Sequence, residues 1–172
     1  MLKLRLAAPD DTDIAVNIIE DARKYLGSQG LPQWQDGHGP NRSVLEEDAR
    51  RSLGYVLEED GVIRGYAAMQ AEVHEPYERL TNGTWEGNHD SYIVIHRVAL
   101  DPAVRGRGLA VQLLTMLTQE ALRLGYRDIR VDTHAGNVIM HKAITRAGFV
   151  QRGDIMMNIP NGERVAYQLL LQ

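Results

Sequence analysis

The sequence predicts one α/β domain, built on a mixed β-sheet, that covers residues 1–172. The first supporting observation is length, because 172 residues suit a single hydrophobic core. The second is the order of apolar strands and amphipathic helices, which reads β-α-α-β-β-β-α-β-α-β-β. The third is composition: 44% apolar and 24% charged residues are ordinary for a globular protein, and no repeat or linker divides the chain.

The first half of the chain predicts three strands and two helices. Alternating apolar and charged residues at Met1–Ala8 predict the first strand. A Pro-Asp-Asp-Thr-Asp segment then starts a helix whose apolar face ends at Gly27, and a Gly- and Pro-rich loop carrying Trp34 follows. The remaining elements are a helix at Ser43–Leu53 and the strands Tyr55–Glu58 and Val62–Gln70, which flank a hairpin turn at Glu59-Asp60-Gly61.

The second half predicts four more strands and two helices. It opens with a long polar loop at Glu72–Ser91, and a loop of this length in a compact domain is usually functional or mobile. Tyr92–Leu100 is almost continuously apolar and predicts a central strand. Leu109–Leu124 has the clearest helical apolar face and ends at Gly125. The remaining elements are a strand at Asp128–Asp132, a helix capped by Asn137 that runs to Ala147, and a closing hairpin of Val150–Ile159 and Arg164–Leu171.

Charge and cysteine content exclude several classes of function. The net charge is −4 and the isoelectric point about 5.8, and no run of like charges could follow a phosphate backbone, so nucleic acid is not an expected partner. The absence of cysteine excludes a disulfide scaffold, a Cys-ligated zinc site and a thiol nucleophile. No apolar run approaches the ~18 residues that span a bilayer, and the N-terminus does not resemble a signal peptide. A cytoplasmic protein without a membrane partner is therefore expected.

The segment between the predicted central strand and the clearest helix carries the chemistry. Asp101-Pro102 turns the chain, and Gly106 and Gly108 precede the helix. Two glycines let the backbone turn tightly and leave the amides open at the positive end of the helix dipole. Arg105 and Arg107 add cations beside them. The combination predicts an anion site that suits a diphosphate.

Two familiar phosphate-binding motifs do not fit this segment. A P-loop requires Lys-Ser or Lys-Thr after its last glycine, and neither follows Gly108. A dinucleotide fingerprint requires a third glycine, where this chain has Val111. Both alternatives therefore fail.

The segment resembles the coenzyme A pyrophosphate loop of the GNAT acetyltransferase superfamily. That loop reads [RQ]-x-x-G-x-[GA], and the positions are met here by Arg105, Gly108 and Ala110. Asn137, followed eleven residues later by Gly148-Phe149, resembles the N-x₁₀-G-F segment of the same family. The Asp-Pro entry, the opening strand and the closing hairpin also fit, so the resemblance extends over nearly the whole chain.

The resemblance implies a fold, an activity and a cofactor site. The implied fold is a mixed, mostly antiparallel sheet of six to seven strands flanked by about four helices. The implied activity is direct transfer of an acetyl group from acetyl-CoA, as co-substrate, to a primary amine of an unidentified small molecule or peptide. The strand Tyr92–Leu100 would splay from Asp128–Asp132, with the pantetheine arm in the gap. The implied cofactor contacts are Val98, Ala99, Leu100, Arg105, Gly106, Arg107, Gly108, Leu109, Ala110, Asn137 and Lys142.

Two histidines are the candidate catalytic residues. His96 interrupts the apolar strand two residues before Val98, and its unperturbed pKa of about 6.5 suits a general base. His134 follows the strand Asp128–Asp132, at the end of a strand where α/β sheets tend to place ligands. The alternatives are a hydrogen-bonded core histidine at 96 and a loop histidine at 134. Ile144 occupies the position where the family often has a proton-donating tyrosine, so the sequence does not identify the general acid.

The acceptor site is expected in the two long loops. Trp34 and Tyr77 would supply an aromatic wall, and Glu72 could recognise a cation, although Trp34 could equally plug the core. No metal is expected, because His134 and His141 lack a carboxylate-His helix motif. Within the family a homodimer is common. The alternatives to an enzyme are a catalytically idle acyl-CoA-binding or sensing domain and a phosphate-binding interaction module.

Overall fold

The structure of the chain is a computed structural model that describes residues 1–87 and 91–172. Residues 88–90, which belong to the predicted loop Glu72–Ser91, lie outside the described residues. The strands are β1 Leu2–Leu6, β2 Gly54–Glu59, β3 Val62–Gln70, β4 Ile93–Leu100, β5 Asp128–Thr133, β6 Val150–Met156 and β7 Glu163–Leu170. The helices are α1 Thr12–Ser28, α2 Arg42–Arg50, α3 Glu75–Glu78, α4 Leu109–Arg123 and α5 Val138–Arg146.

The described strands form one seven-stranded sheet in the order β1-β2-β3-β4-β5-β7-β6. Pairing is antiparallel throughout, except between β4 and β5, which run parallel in the middle of the sheet. The β4–β5 pairing ends at Ile95 opposite Val131, although both strands continue. The predicted mixed, mostly antiparallel sheet is confirmed, and the two central strands separate beyond their last pair.

Helices cover both faces of the sheet because adjacent residues of a strand point to opposite sides. On β2, Leu57 packs in a cluster with α4 and α5, whereas its neighbour Val56 packs with α1 and α2. A third cluster, built around Tyr77 and Tyr92, packs the 72–87 segment against β4, β6 and β7. Burial of these apolar side chains supplies the main stabilisation of the fold.

Three local differences separate the predicted and observed elements. The prediction that α1 stops at Gly27 was wrong: the helix continues to Ser28, and Gly30, with a φ of 74°, makes the left-handed stop. The predicted long loop contains α3, a single turn that begins with Glu75-Pro76. The last hairpin is shorter than predicted, because β6 ends at Met156 and a turn follows.

A β-bulge in β4 lies next to the point where the sheet opens. Tyr66 of β3 faces Ala99, and Ala68 faces His96, so β4 has one residue more than β3 between these pairs. Arg97, within this bulge, has a φ of 57°, a conformation that few residues other than glycine adopt. The bulge therefore requires an interaction that holds Arg97 in place.

Asp48 of α2 supplies that interaction. Its two carboxylate oxygens accept hydrogen bonds from Arg97 Nη2 and Nε at 2.6 and 2.9 Å, and Oδ2 also accepts one from the Tyr66 hydroxyl at 2.7 Å. The Asp48 side chain is 3% exposed, so this is a buried, bidentate ion pair. The ion pair fixes α2 to the bulge of β4.

Replacing Asp48 with alanine is expected to lower the free energy of unfolding by about 3 kcal/mol, because it leaves a largely buried guanidinium without its counterion. Urea unfolding measures the change. Glu46→Ala, on the same helix but at a side chain that is 57% exposed, is the matched control and should change stability by less than about 0.5 kcal/mol. A loss in Asp48→Ala no larger than in the control would contradict this role.

Candidate active site

A cleft of about 1390 Å³ opens where β4 and β5 separate. Its walls come from β4, the segment that leads into α4, the start of α5, the 33–40 loop and the 156–159 turn. Ile95 and Val131, the last paired residues of the two strands, line its inner end. The gap that was expected between the two central strands is therefore present and large enough for a ligand.

The glycine segment forms the edge of the cleft beside α4. Gly106 and Gly108 have φ values of 77° and 76°, and both line the cleft. Asp101 Oδ1 accepts a hydrogen bond from the Ala103 amide at 2.9 Å, which fixes the turn before them. A Cβ added to either glycine would meet no atom within 4 Å, so the backbone at both positions faces open space. Gly108 is the N-cap of α4, so the helix N-terminus points its free amides to this edge.

The two arginines of this segment have different surroundings. Arg105 lines the cleft, and its guanidinium carbon lies 3.8 Å from the ring centroid of Tyr25. Arg107 does not line the cleft, because its guanidinium is paired with Glu59 of β2, with one hydrogen bond of 3.0 Å. The expectation that Arg107 contributes a cation to the anion site is therefore not met in this structure.

The other residues expected to contact the cofactor lie along the same cleft. Its walls include Val98, Ala99, Leu100, Leu109, Ala110, Asn137 and Lys142. Asn137 has the predicted helix-capping role: its Oδ1 accepts a hydrogen bond from the Met140 amide at 3.3 Å, and its Nδ2 donates to Gln33. Lys142 lies on the exposed side of α5. The structure brings these residues together, and their contact with a cofactor stays a prediction.

A cluster of polar and aromatic side chains lies at the inner end of the cleft. His96 and Asp132 each follow the last β4–β5 pair, so they share one face of the sheet. Tyr77 connects them: its hydroxyl donates a hydrogen bond to Asp132 Oδ2 at 2.5 Å, and its ring lies edge-on to His96, with centroids 6.3 Å apart. His74 contacts His96 at 5.1 Å between centroids. His74, His96 and Asp132 line the cleft.

Burial changes the acid–base properties of this cluster. Desolvation, assisted by the positive charge of Arg97, lowers the pKa of His96 to about 3. Desolvation also raises the pKa of Asp132 above its usual value, against the opposing effects of Tyr77 and Arg164. Within the described part of the chain, His96 Nε2 is buried without a hydrogen-bond partner. His96 is therefore a neutral, weakly basic histidine, and Asp132 is a stronger base than an exposed aspartate.

The low pKa of His96 predicts a loss of stability in acid. Below pH 6.5 the unfolded chain binds a proton at this histidine that the folded chain binds only near pH 3, so stability falls as the pH falls through this range. His96→Gln should remove up to about 1.4 kcal/mol of this loss per pH unit. Urea unfolding of both proteins between pH 7.5 and 4.5 measures the difference, with the exposed His38→Gln as the control. Parallel curves for the wild type and His96→Gln would contradict the prediction.

Arg164 of β7 lies beside Asp132. Its side chain is 6% exposed, and its Nη1 donates to the main-chain oxygens of Asn161 and Glu163, both at 2.8 Å. The Nε atom lies 4.0 Å from Asp132 Oδ1, which is beyond hydrogen-bond distance. Desolvation lowers the pKa of Arg164, with Asp132 and Glu163 acting in the opposite direction. Arg164 lines the cleft and places a guanidinium at its inner end.

Three residues predicted to act in catalysis or acceptor binding lie elsewhere. His134 is not on the cleft wall: it lies in the turn after β5, where its Nδ1 accepts a hydrogen bond from the Gly136 amide at 3.1 Å. Tyr77 is fully buried, stacked on Trp85, and supports Asp132 from behind. Glu72 is exposed and paired with Arg51. Trp34, in contrast, lines the cleft and also packs against the α1–α2 cluster, and its contact with an acceptor stays a prediction.

Sequence reasoning did not select His74, Asp132 or Arg164. A signal for Asp132 was present, because β5 carries charged residues at three alternate positions of a central strand. Arg164 was not selected because it lies next to a turn, where charged residues are common. His74 lies in a segment without periodicity, and nothing in the sequence indicated its contact with His96.

Ile144, at the position where a proton donor was sought, is fully buried in the core between α4 and α5.

Residues 1–87 and 91–172 contain no group of three or more His, Asp or Glu side chains placed to hold a metal ion. In the same residues, no helix is both long and apolar enough to cross a bilayer.

Known proteins resemble this chain in sequence and in fold. Residues 18–149 match the family model described as acetyltransferase (GNAT) family. An acetyltransferase of the GNAT family from Streptococcus agalactiae superimposes with a TM-score of 0.90 and 33% identity, over 99% of this chain and 96% of that one. YncA of Salmonella typhimurium, solved with its cofactor acetyl-CoA, shares the fold at a TM-score of 0.67 and 20% identity, over 99% of this chain and 94% of YncA.

A curated relative matches part of the chain. Over 82 residues the chain is 38% identical to the L-methionine sulfoximine/L-methionine sulfone acetyltransferase of Salmonella typhimurium. The match covers 45% of this chain and 40% of the length of that relative.

Proposed function

This chain belongs to the acetyltransferase (GNAT) family, and from that membership we propose that it transfers the acetyl group of acetyl-coenzyme A to a primary amine. One observation carries the proposal. The glycine segment before α4 borders the cleft that opens between β4 and β5. The proposal assigns the diphosphate of coenzyme A to the amides at the start of α4, and its pantetheine arm to the gap between the two strands.

The residues present fit coenzyme A. The open backbone at Gly106 and Gly108 lies at the N-terminus of α4, where amides and the helix dipole favour a diphosphate. Arg105, held on the Tyr25 ring, supplies a cation beside it. The bulge at Arg97 leaves the following main chain of β4 on the cleft wall, where Val98 and Ala99 would meet the pantetheine amides. When bound, acetyl-CoA supplies an activated thioester that a neutral amine attacks directly.

Asp132 is the base that we assign to the acceptor amine. An ammonium group cannot attack, so it first loses one proton to Asp132, and the neutral amine then attacks the thioester carbonyl. The nitrogen loses a second proton, to water, as the carbon–sulfur bond breaks and the thiolate leaves. The raised pKa of Asp132, caused by desolvation, makes this carboxylate a better proton acceptor than His96. The unpartnered Nε2 of His96, on the same face, is free to hydrogen-bond the reacting groups.

The departing thiolate needs no dedicated acid in this site. Ile144 offers no proton, and a thiol has a pKa of about 8.5, so coenzyme A can leave as a thiolate near neutral pH. The positive end of α4 and Arg105 lie along the same cleft and favour a negative charge. Acetyl transfer is therefore compatible with the residues present.

Calorimetric titration with acetyl-CoA, beside free CoA, ATP and NAD, tests the cofactor assignment. Selective binding of the CoA species is expected. Acetylation is then followed by the release of free CoA with a thiol-reactive dye, which has no background here because the chain contains no cysteine. The first amines in the screen are amino acids, since the curated relative is named for acetylating two amino acid derivatives. Absence of acetyl-CoA binding would refute the proposal, whereas binding without acetylation of any amine would favour an idle acyl-CoA-binding domain.

A further inference from the structure

We propose that Arg164 makes the acceptor site selective for amines that carry a carboxylate, and that the substrate class is therefore free α-amino acids. The inference rests on the proposed acetyltransferase function and goes beyond it, because the transfer chemistry itself requires only an amine. It is carried by the charges at the inner end of the cleft.

The strand register places Arg164 and Asp132 on one face of the sheet. Ala166 of β7 pairs directly with Asp132 of β5, so these two side chains point to the same side. Arg164 precedes Ala166 by two residues and therefore shares that side. His96 also lies on this face, one residue past the last β4–β5 pair. The base, the neutral histidine and the guanidinium thus surround the same end of the cleft.

The charge of Arg164 is incompletely compensated. The guanidinium is almost fully buried, yet its nearest carboxylate is 4.0 Å away and belongs to Asp132, whose pKa is raised by desolvation. Two main-chain oxygens accept hydrogen bonds from Nη1, and in the described part of the chain Nη2 has no carboxylate oxygen within 4.0 Å. A buried cation in this state favours an anionic ligand, and a guanidinium binds a carboxylate with two hydrogen bonds.

The other charged side chains on this part of the wall are already paired. Glu75 and Arg79 form an ion pair with each other at 2.9 Å, and Arg97 is held by Asp48 at 2.6 Å. Arg105, Lys142 and Arg146 lie with the glycine segment and α5, at the end that we assign to coenzyme A. Arg164 is thus the inner cation that is available to an acceptor.

An α-amino acid complements the pair of Asp132 and Arg164. Its amino group would lie beside Asp132, which removes the proton, and its carboxylate beside Arg164, so the two charges of the ligand oppose the two charges of the protein. The separation of 4.0 Å between the protein groups suits charges that belong to one small molecule. Trp34, His74 and Met157 also line the cleft, and we assign to them the contacts with the amino acid side chain. A peptide N-terminus has no carboxylate at this position and would be a poor substrate.

The experiment compares the twenty common L-amino acids with their α-amides as acceptors, with CoA release as the readout. For accepted amino acids, kcat/KM is expected to exceed that of the matched amide by at least about 100-fold. This comparison uses the wild-type protein, so it does not depend on the folding of any variant.

Variants then test the role of Arg164 in carboxylate selectivity. Arg164→Gln should reduce the preference for the free carboxylate to less than about 10-fold while leaving the acetyl-CoA affinity unchanged, and Arg164→Lys should retain part of it. Arg79→Gln, which removes a cation that is 78% exposed at the cleft rim, is the matched control. Equal rates for amino acids and amides, or an undiminished preference in Arg164→Gln, would overturn the inference and leave the acetyltransferase function standing. Failure to acetylate any amine would refute both the selectivity and the acetyltransferase function.

Discussion

Replacing Asp132 with asparagine is expected to lower kcat for acetylation by about 100-fold or more, while the affinity for acetyl-CoA stays within about twofold. The physical reason is that asparagine keeps the shape of the side chain and can still accept the Tyr77 hydrogen bond, but it cannot take a proton from the amine. Steady-state kinetics with an accepted amine, and calorimetry with acetyl-CoA, measure the two quantities separately.

The pH profile distinguishes a base from a merely structural carboxylate. A base must be ionised, so kcat/KM of the wild type should fall as the pH drops through the raised pKa of Asp132, above the ordinary value of 3.8. Asp132→Asn should lose this acidic limb. Asp36→Asn, at an exposed position in the 33–40 loop, is the control for a lost carboxylate. If Asp132→Asn retained more than about one-third of the wild-type rate, the base would have to be another group.

Replacing Gly108 with leucine is expected to weaken acetyl-CoA binding by about 100-fold or more. The added side chain enters the open space in front of the α4 amides and denies the diphosphate two or more hydrogen bonds, each worth about 1.5–3 kcal/mol when one partner is charged. Calorimetric titration measures the affinity, and circular dichroism checks that the fold is retained.

The positive φ of Gly108 adds backbone strain that is unrelated to the ligand, so a control must carry the same strain. Gly61, in the β2–β3 turn, has a φ of 81° and likewise has no atom within 4 Å of an added Cβ. Leucine at either position should cost about 1–2 kcal/mol of stability. Gly61→Leu should nevertheless bind acetyl-CoA as the wild type does. Equal affinities for the two variants would show that the glycine segment is not the diphosphate site.

The sequence predicted the elements of the fold well because their signals are local. The periodicity of Leu109–Leu124 and the Asp-Gly turn at Asp60-Gly61 each depend on neighbouring residues, and the structure has α4 and the β2–β3 hairpin there. The glycine segment was recognised for the same reason, since the strand, the turn and the helix N-terminus are contiguous. The seven-stranded sheet followed from the order of these elements and from the family resemblance.

The candidate catalytic residues could be predicted only in part. His96 was selected because a histidine interrupts an apolar strand, and it does line the cleft. Its pKa, however, is lowered by burial and by Arg97 and His74, so His96 is a weaker base than its unperturbed pKa suggested. His134 was selected because it follows the end of a strand, but it lies in the turn after β5, where its Nδ1 accepts a hydrogen bond from the Gly136 amide, and not on the cleft wall.

By itself, the sequence determined the α/β architecture, the glycine segment at the start of α4 and the absence of a thiol nucleophile. The tertiary structure alone decided that Arg107 pairs with Glu59 while Arg105 faces the cleft, and that Asp48 holds the bulge at Arg97. It also brought Asp132 and Arg164 together, although they are far apart in the chain. The physical reason is that turns and helices are encoded by near neighbours, whereas ion pairing and desolvation depend on which distant residues the strand register places on the same face.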